Sequence, residues 1–161
     1  MDQLLPRAFF DWCHDSPIGE WINNSTWAFA IIETFHIMAL TVLLGTIIVM
    51  DLRLLGIRAR RLTVESLAKE LRPYTLAALV LLVATGVPMF MSQAIKYSQS
   101  VTFFVKMVLL AMTVGFHFTV YTKVTMADAN EGTWFGRLAA SVSLACWVGV
   151  ALAGRGIAFL P

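Results

Sequence analysis

Long apolar runs with few charged residues recur four times along the chain. The first, Trp27 to Leu55, reads WAFAIIETFHIMALTVLLGTIIVMDLRLL, and the others are predicted at about 74–94, 101–122 and 134–160. A helix crosses the hydrocarbon core with roughly 20 apolar residues, at about 1.5 Å per residue. Because short connections favour antiparallel neighbours, the pattern predicts an all-α integral membrane four-helix bundle with up-down-up-down topology.

Shorter amphipathic segments flank the first run. Residues 1–26 mix phenylalanine, tryptophan and isoleucine with acidic side chains, which predicts one or two short helices at the membrane interface. Thr63 to Leu71 has the spacing of a short amphipathic helix that Arg72-Pro73 would end. Since no linker or repeat is visible, residues 1–161 are expected to form a single membrane domain.

Basic residues are concentrated in the first connection. Six of the twelve lysines and arginines lie between Asp51 and Pro73. Such residues are enriched in cytoplasmic loops, so this connection is expected in the cytoplasm and both termini outside. Met1 to Asp15 has no signal-peptide core. We therefore expect a multi-pass protein of a bacterial plasma membrane with a periplasmic N-terminus.

The amino-acid composition limits the class of protein further. The chain has 161 residues, of which 58% are hydrophobic and 14% charged, and its mean hydropathy is +0.74. These values exclude an ordinary soluble domain. A net charge of +2 is too small to indicate nucleic-acid binding. Hydrolase, phosphate-loop and iron–sulfur motifs are not recognisable in the sequence, so the expected surroundings are the lipid bilayer and other membrane proteins.

Ionisable residues inside the apolar runs are the candidate functional groups. Glu33 and His36 lie on one stripe of the first run, and Lys106 and His117 lie on one stripe of the third. A charged side chain at the centre of a membrane helix costs at least about 2.5 kcal/mol on insertion scales. These faces are therefore predicted to look into protein, where such residues are usually functional.

Two histidines on separate helices, with cations nearer one membrane face, are the arrangement that a b-type haem needs. His36 and His117 are the candidate axial ligands, and Lys106 and Arg155 the candidate partners of the propionates. Glu33, one turn from His36, belongs to the same candidate site; alternatively it pairs with a structural histidine. Helix counting offsets the two histidines by about 8–13 Å in depth. A single-histidine site completed by a methionine therefore stays open, and the available methionines are Met38, Met89, Met91, Met107 and Met112.

The favoured hypothesis is a cytochrome-like electron-transfer subunit that carries haem b and exchanges electrons with a membrane or periplasmic partner. An electron-transfer or accessory subunit is favoured over a stand-alone enzyme. One alternative is a small metal- or solute-handling permease lined by Glu33, His36 and Lys106. It is disfavoured because no inner-half carboxylate matches them: Asp51 is interpreted as part of a boundary ion pair with Arg53. The other alternative is a cofactor-free accessory subunit that packs through the small residues of the fourth run against other membrane subunits or a second copy.

A motif adds a family resemblance. Glu33-x-x-His36, followed by Gly45 and Asp51-Leu-Arg-Leu-Leu-Gly56, resembles an uncharacterised family of small bacterial four-helix membrane proteins, a domain of unknown function. That resemblance implies the membrane fold and no particular activity. More distantly, the chain is similar to copper-resistance proteins of the CopD type and to protoporphyrinogen oxidases of the HemJ type. The shared features are His36, Lys106 and the number of spans. The resemblance to the HemJ type implies haem binding, although the Trp-Gly-Gly pattern of the CopD type is missing.

Overall fold

The computed structural model describes residues 7–57, 63–126 and 133–157, and the regular structure in these ranges is helical. The elements are α1 (Arg7–His14), α2 (Pro17–Asn24), α3 (Ala28–Leu54), α4 (Val64–Ser92), α5 (Ala94–Ser98), α6 (Val101–Phe116), a π-helical turn (His117–Tyr121), α7 (Thr122–Thr125) and α8 (Trp134–Gly156). The predicted all-α class is confirmed.

Four helical segments are long and apolar enough to cross a membrane: α3, α4, the segment from α6 through α7, and α8. α3 packs along α4 on one side and α8 on the other, and α8 also packs along α6. The second and third segments meet where α4 contacts α7. Many of the large apolar side chains remain exposed on the outside of this bundle, as lipid-facing positions require.

The two ends of the bundle differ. The end that carries α1, α2, α5 and the last turn of α8 is called here the N-terminal end, and the opposite end the distal end. α1 packs on α5 and α4, and α2 packs on α4 and α3. The predicted N-terminal helices therefore exist, and they cover one end of the bundle. Trp12, Trp21 and Trp27 are exposed around this end, which is typical of the aromatic belt at a membrane interface.

The break predicted at Arg72-Pro73 is not found, because α4 is continuous from Val64 to Ser92. Thr63 starts the helix by accepting a hydrogen bond from the backbone of Ser66. Val64, Leu67 and Ala68 are buried in the core cluster at the distal end. A proline removes one backbone hydrogen bond, and this buried apolar face compensates for that loss.

The glycine of the Asp51-to-Gly56 motif ends α3. Gly56 has φ of +80°, and the backbone of Ile57 donates to the Leu52 carbonyl at 3.0 Å. This pattern is a Schellman motif, in which a left-handed residue satisfies the last free carbonyls of a helix. Glycine is therefore suited to position 56 because the turn that ends the first span requires a positive φ there.

The reactivity of Cys13 tests whether α1 is docked on α4 and α5. Cys13 is buried with Phe10 and Ala94, and burial raises the pKa of its thiol above the usual value. The thiolate is the reactive form, so we expect iodoacetamide at pH 8 to alkylate Cys13 at least tenfold more slowly than free cysteine. The rate should rise as the pH is raised further. The measurement uses a Cys146→Ser variant, since both cysteines are free; rapid labelling at pH 8 would show that α1 is not docked.

Candidate functional site

Polar side chains inside the spans form two groups at different depths. The His36 centre consists of His36, Thr85 and Lys106, in the half of the bundle near the N-terminal end. The Asp51 centre consists of Asp51, His117, Tyr121 and Ser143, near the distal end. Each centre draws side chains from at least three of the four spanning segments.

The hydrogen bonds of the His36 centre fix one imidazole tautomer. His36 Nδ1 lies 2.8 Å from Thr85 Oγ1, and Thr85 Oγ1 lies 2.7 Å from the Leu81 carbonyl oxygen. A hydroxyl has one proton, which Thr85 donates to that carbonyl. Thr85 must therefore accept from Nδ1–H, so the Nε2 atom of His36 carries the free lone pair. A histidine that ligates a metal is normally held by this kind of bond.

Two glycines make room for the ionisable side chains in this layer. A Cβ atom at Gly86 of α4 would lie 3.3 Å from His36 Cε1. A Cβ atom at Gly154 of α8 would lie 3.4 Å from Lys106 Cε and 3.5 Å from its Nζ. The layer is therefore formed by all four spanning segments, and Gly86 allows the imidazole of His36 to approach α4 closely.

Lys106 brings a cation to this layer. Its side chain is partly buried, and its ammonium group is close enough to interact electrostatically with the His36 ring. Within the described ranges, Lys69–Glu65 is the ion pair observed, and Lys106 makes none. A buried cation is costly unless an anion accompanies it, so the His36 centre is suited to an anionic ligand.

Glu33 and Arg155 lie at the edge of this layer. Glu33 is exposed on α3, so the prediction that it faces the protein interior is not met. It lies near Tyr97 of α5: burial and, second, the Glu33 charge raise the pKa of Tyr97. Arg155 is exposed in the last turn of α8, next to Gly154. These two residues therefore border the N-terminal end.

The structure does not bring His117 to His36. The His117 ring stacks on Tyr121, with ring centroids 5.2 Å apart, and packs edge-on against Trp147. It lines a cleft together with Ile47, which follows His36 by three turns, about 16 Å along α3. Two imidazole nitrogens that share one metal are only about 4 Å apart. In this arrangement the two histidines serve different centres.

The Asp51 centre is the more deeply buried group. The Asp51 side chain has no exposed surface and Ser143 is 1% exposed. Tyr121 donates its phenolic hydrogen to Asp51 Oδ1 at 2.6 Å. Ser143 lies beside this pair, but its Oγ makes no hydrogen bond of normal geometry. Asp51 Oδ2 and His117 Nδ1 are likewise buried without a partner among the described residues.

The π-helical turn positions two members of this centre. The backbone of Thr122 donates to the His117 carbonyl, and its hydroxyl donates to the same oxygen at 2.7 Å. A π-helical turn accommodates one extra residue in the helix and is frequent at functional sites. Here it places His117 against Tyr121 while Tyr121 reaches Asp51.

Metal ligands are sparse in the described part of the chain. It contains no group of three histidine, cysteine, aspartate or glutamate side chains placed to hold a metal ion. Of the methionines considered as ligands, Met38, Met107 and Met112 are exposed on the outside of the bundle. Met89 and Met91 are partly buried near the end of α4. A metal bound at His36 would therefore depend on a cofactor for most of its ligands.

Several site residues were missed by sequence reasoning. Thr85 lies inside an apolar run next to Gly86, and this sequence gives no sign of a bond to His36. Ser143 counts in the sequence as one of many small packing residues. The sequence places Asp51 at the boundary of the first span, and it lies in the last turn of α3. Its bond to Tyr121 is what the sequence does not show. Its position on the stripe of His36 is the signal that indicates an inward-facing side chain.

Four membrane-length helices around two buried polar centres define a small multi-pass membrane protein with a bundle fold. Residues 9–160 match the family of unknown function DUF6644, and the chain belongs to that family. Comparisons with curated proteins and with solved structures give no match. The more distant resemblance to CopD-type and HemJ-type proteins has no support from these comparisons.

Proposed function

We propose that the protein binds one haem b at the His36 centre and acts as a cytochrome-like electron-transfer subunit of the bacterial plasma membrane. The observation that supports this is the bond from His36 Nδ1 to Thr85. With the Nδ1 proton donated to Thr85, Nε2 keeps its lone pair and could ligate the haem iron. The ring is also held against Gly86, which limits its rotation.

The neighbouring groups suit the rest of the cofactor. The Lys106 ammonium provides a counter-ion for a propionate, and Arg155 lies next to Gly154 at the same end of the bundle. When bound, haem supplies one-electron chemistry at its iron. The protein residues would orient the cofactor through Thr85 and His36, neutralise its anionic edge through Lys106, and exclude water with the surrounding apolar side chains.

The separation of the histidines changes the expected coordination. Because His117 lies about three turns deeper than His36, we assign one protein imidazole to the iron. A bound iron would then be able to take an added ligand as well. His117 belongs to the Asp51 centre instead.

The depth of the centre indicates the side on which electrons are exchanged. His36 follows the start of α3 by about 12 Å, so the cofactor would lie nearer the N-terminal end. With that end in the periplasm, the redox partner would be a periplasmic protein or the exposed part of another membrane subunit.

The test is the absorbance spectrum of protein purified in detergent from cells supplied with a haem precursor. We expect a Soret band, extractable haem in stoichiometric amount, changes on reduction with dithionite, and a shift of the reduced Soret band when carbon monoxide is added. A Soret band that carbon monoxide does not shift would contradict the single-imidazole assignment. Colourless protein without extractable haem, even after incubation with hemin, would exclude the function and favour the cofactor-free accessory subunit.

A further inference from the structure

The Asp51 centre contains three buried polar atoms without hydrogen-bond partners among the described residues: Asp51 Oδ2, Ser143 Oγ and His117 Nδ1. Native proteins satisfy nearly all such atoms, commonly with ordered water. Three unsatisfied atoms around one tyrosine therefore indicate that this centre binds something small and polar. It lies about three turns from the His36 centre, so it is a separate site.

Asp51 is most easily accommodated as the neutral acid. Its carboxyl group is completely buried, and in the described ranges no lysine or arginine forms an ion pair with it. An ionised carboxylate in this setting is strongly disfavoured unless a cation accompanies it. Because Tyr121 donates to Oδ1, the proton of the neutral acid lies on Oδ2, the atom that has no partner.

A cleft lies beside this centre. Asp51 does not line it, but Tyr121, which donates to Asp51 Oδ1, does. The volume of the cleft is about 70 Å³, and its walls include Thr46, His117, Tyr121 and Thr125, with the exposed Arg72 also in its lining. A water molecule needs roughly 10–15 Å³ of such volume, so the cleft has room for a few. Hydroxyl groups of threonines in its wall provide hydrogen-bond partners for them.

We propose that Asp51 is a proton-binding site that exchanges its proton with the distal aqueous phase through water in this cleft. In the exchange the Oδ2–H bond breaks and a water molecule accepts the proton as hydronium. The remaining carboxylate keeps the Tyr121 hydrogen bond. The return step reverses these changes, so atoms and charge balance and no redox partner is required.

The other charged or titratable groups around the centre come from each element packed near it. Arg53 is buried on the same helix, His117 and Tyr121 lie on the π-helical turn, and Arg72, Lys123 and Arg137 are exposed on α4, α7 and α8. The exposed cations lie at the distal end and would favour the carboxylate form there. Proton release is therefore expected toward that side.

Infrared spectroscopy of the purified full-length protein tests the proposal. We expect a carbonyl stretching band of a protonated carboxylic acid at pH 7 that shifts in D₂O and is lost in Asp51→Asn. The matched control Asp11→Asn, at an exposed position of α1, should retain it. Tyr121→Phe removes the hydrogen bond to Oδ1 and should move the band to higher frequency. Absence of the band at pH 7, or its presence in Asp51→Asn, would overturn the assignment.

Two further measurements test the exchange and the identity of the ion. Thr75→Phe introduces a larger side chain into the cleft wall, where Thr75 bonds to Thr46, and should slow the deuterium shift of the band at least tenfold. Unchanged exchange would contradict the route. Replacing choline chloride by sodium or potassium chloride should leave the band unchanged. Its disappearance in either salt would show that a metal cation occupies the site.

Discussion

Replacing His36 by alanine is expected to abolish haem binding. The substitution removes the proposed axial ligand, and Lys106 alone offers the cofactor only an ion pair. The Soret band and extractable haem should fall to the background of membrane preparations, while size-exclusion chromatography shows that the protein still folds. Because alanine leaves space at Gly86, added imidazole is expected to restore part of the band.

Two further variants test whether the loss of haem is specific to His36 and its hydrogen bond to Thr85. His14→Ala removes a histidine of α1, outside the spans, and should retain the full spectrum. Thr85→Val keeps the shape of the side chain and removes its hydroxyl, so we expect haem affinity to fall about 10–100-fold, as is usual when a partner of a ligating histidine is lost. A His36→Ala protein with an unchanged Soret band, or loss of that band in His117→Ala, would contradict the assignment.

Replacing Tyr121 by alanine is expected to give the largest loss of stability in the bundle. The side chain is 4% exposed, stacks on His117 and donates to Asp51. Truncating a buried aromatic residue typically costs about 3–5 kcal/mol, and here the Asp51 carboxyl also loses its partner. Unfolding in mixed detergent micelles, followed by circular dichroism, measures the change.

The matched control is Phe118→Ala in the same π-helical turn. Phe118 is 49% exposed on the outside of the bundle, so its truncation should lower the free energy of unfolding by less than about 1 kcal/mol, because little area leaves the protein interior. Equal losses for the two variants would show that Tyr121 does not hold the spans together.

The fold was predictable because the bilayer imposes a strong length and hydropathy requirement on each span. The main departure is α4, where the local preference of Pro73 indicated a break. That preference is small compared with the packing of Val64, Leu67 and Ala68 at the distal end, which is a tertiary contact and invisible in the chain.

The sequence identified the candidate polar residues inside the spans but not how they group in space. Helical spacing gives the face and the depth of a residue, and it placed His36 and His117 on inward faces with an offset. It does not show which helices are neighbours, so the bond between His36 and Thr85 could not be anticipated. Asp51 does lie in the last turn of α3, but the hydrogen bond from Tyr121 that accompanies its burial joins two spans and cannot be inferred from helical spacing.

The wide turn at residues 117–121 sets the rotation between the two halves of the third span. An α-helix rotates by about 100° per residue, so one residue removed from this turn would rotate the two halves of the segment relative to each other by that angle. Lys106 and Thr113 on one side, and Val124 and Thr125 on the other, would no longer face the bundle together. A hydropathy profile would barely register such a deletion. The spacing between the two halves is thus a separate constraint on the chain, and changes in length there should be far less tolerable than changes in the identity of the lipid-facing residues.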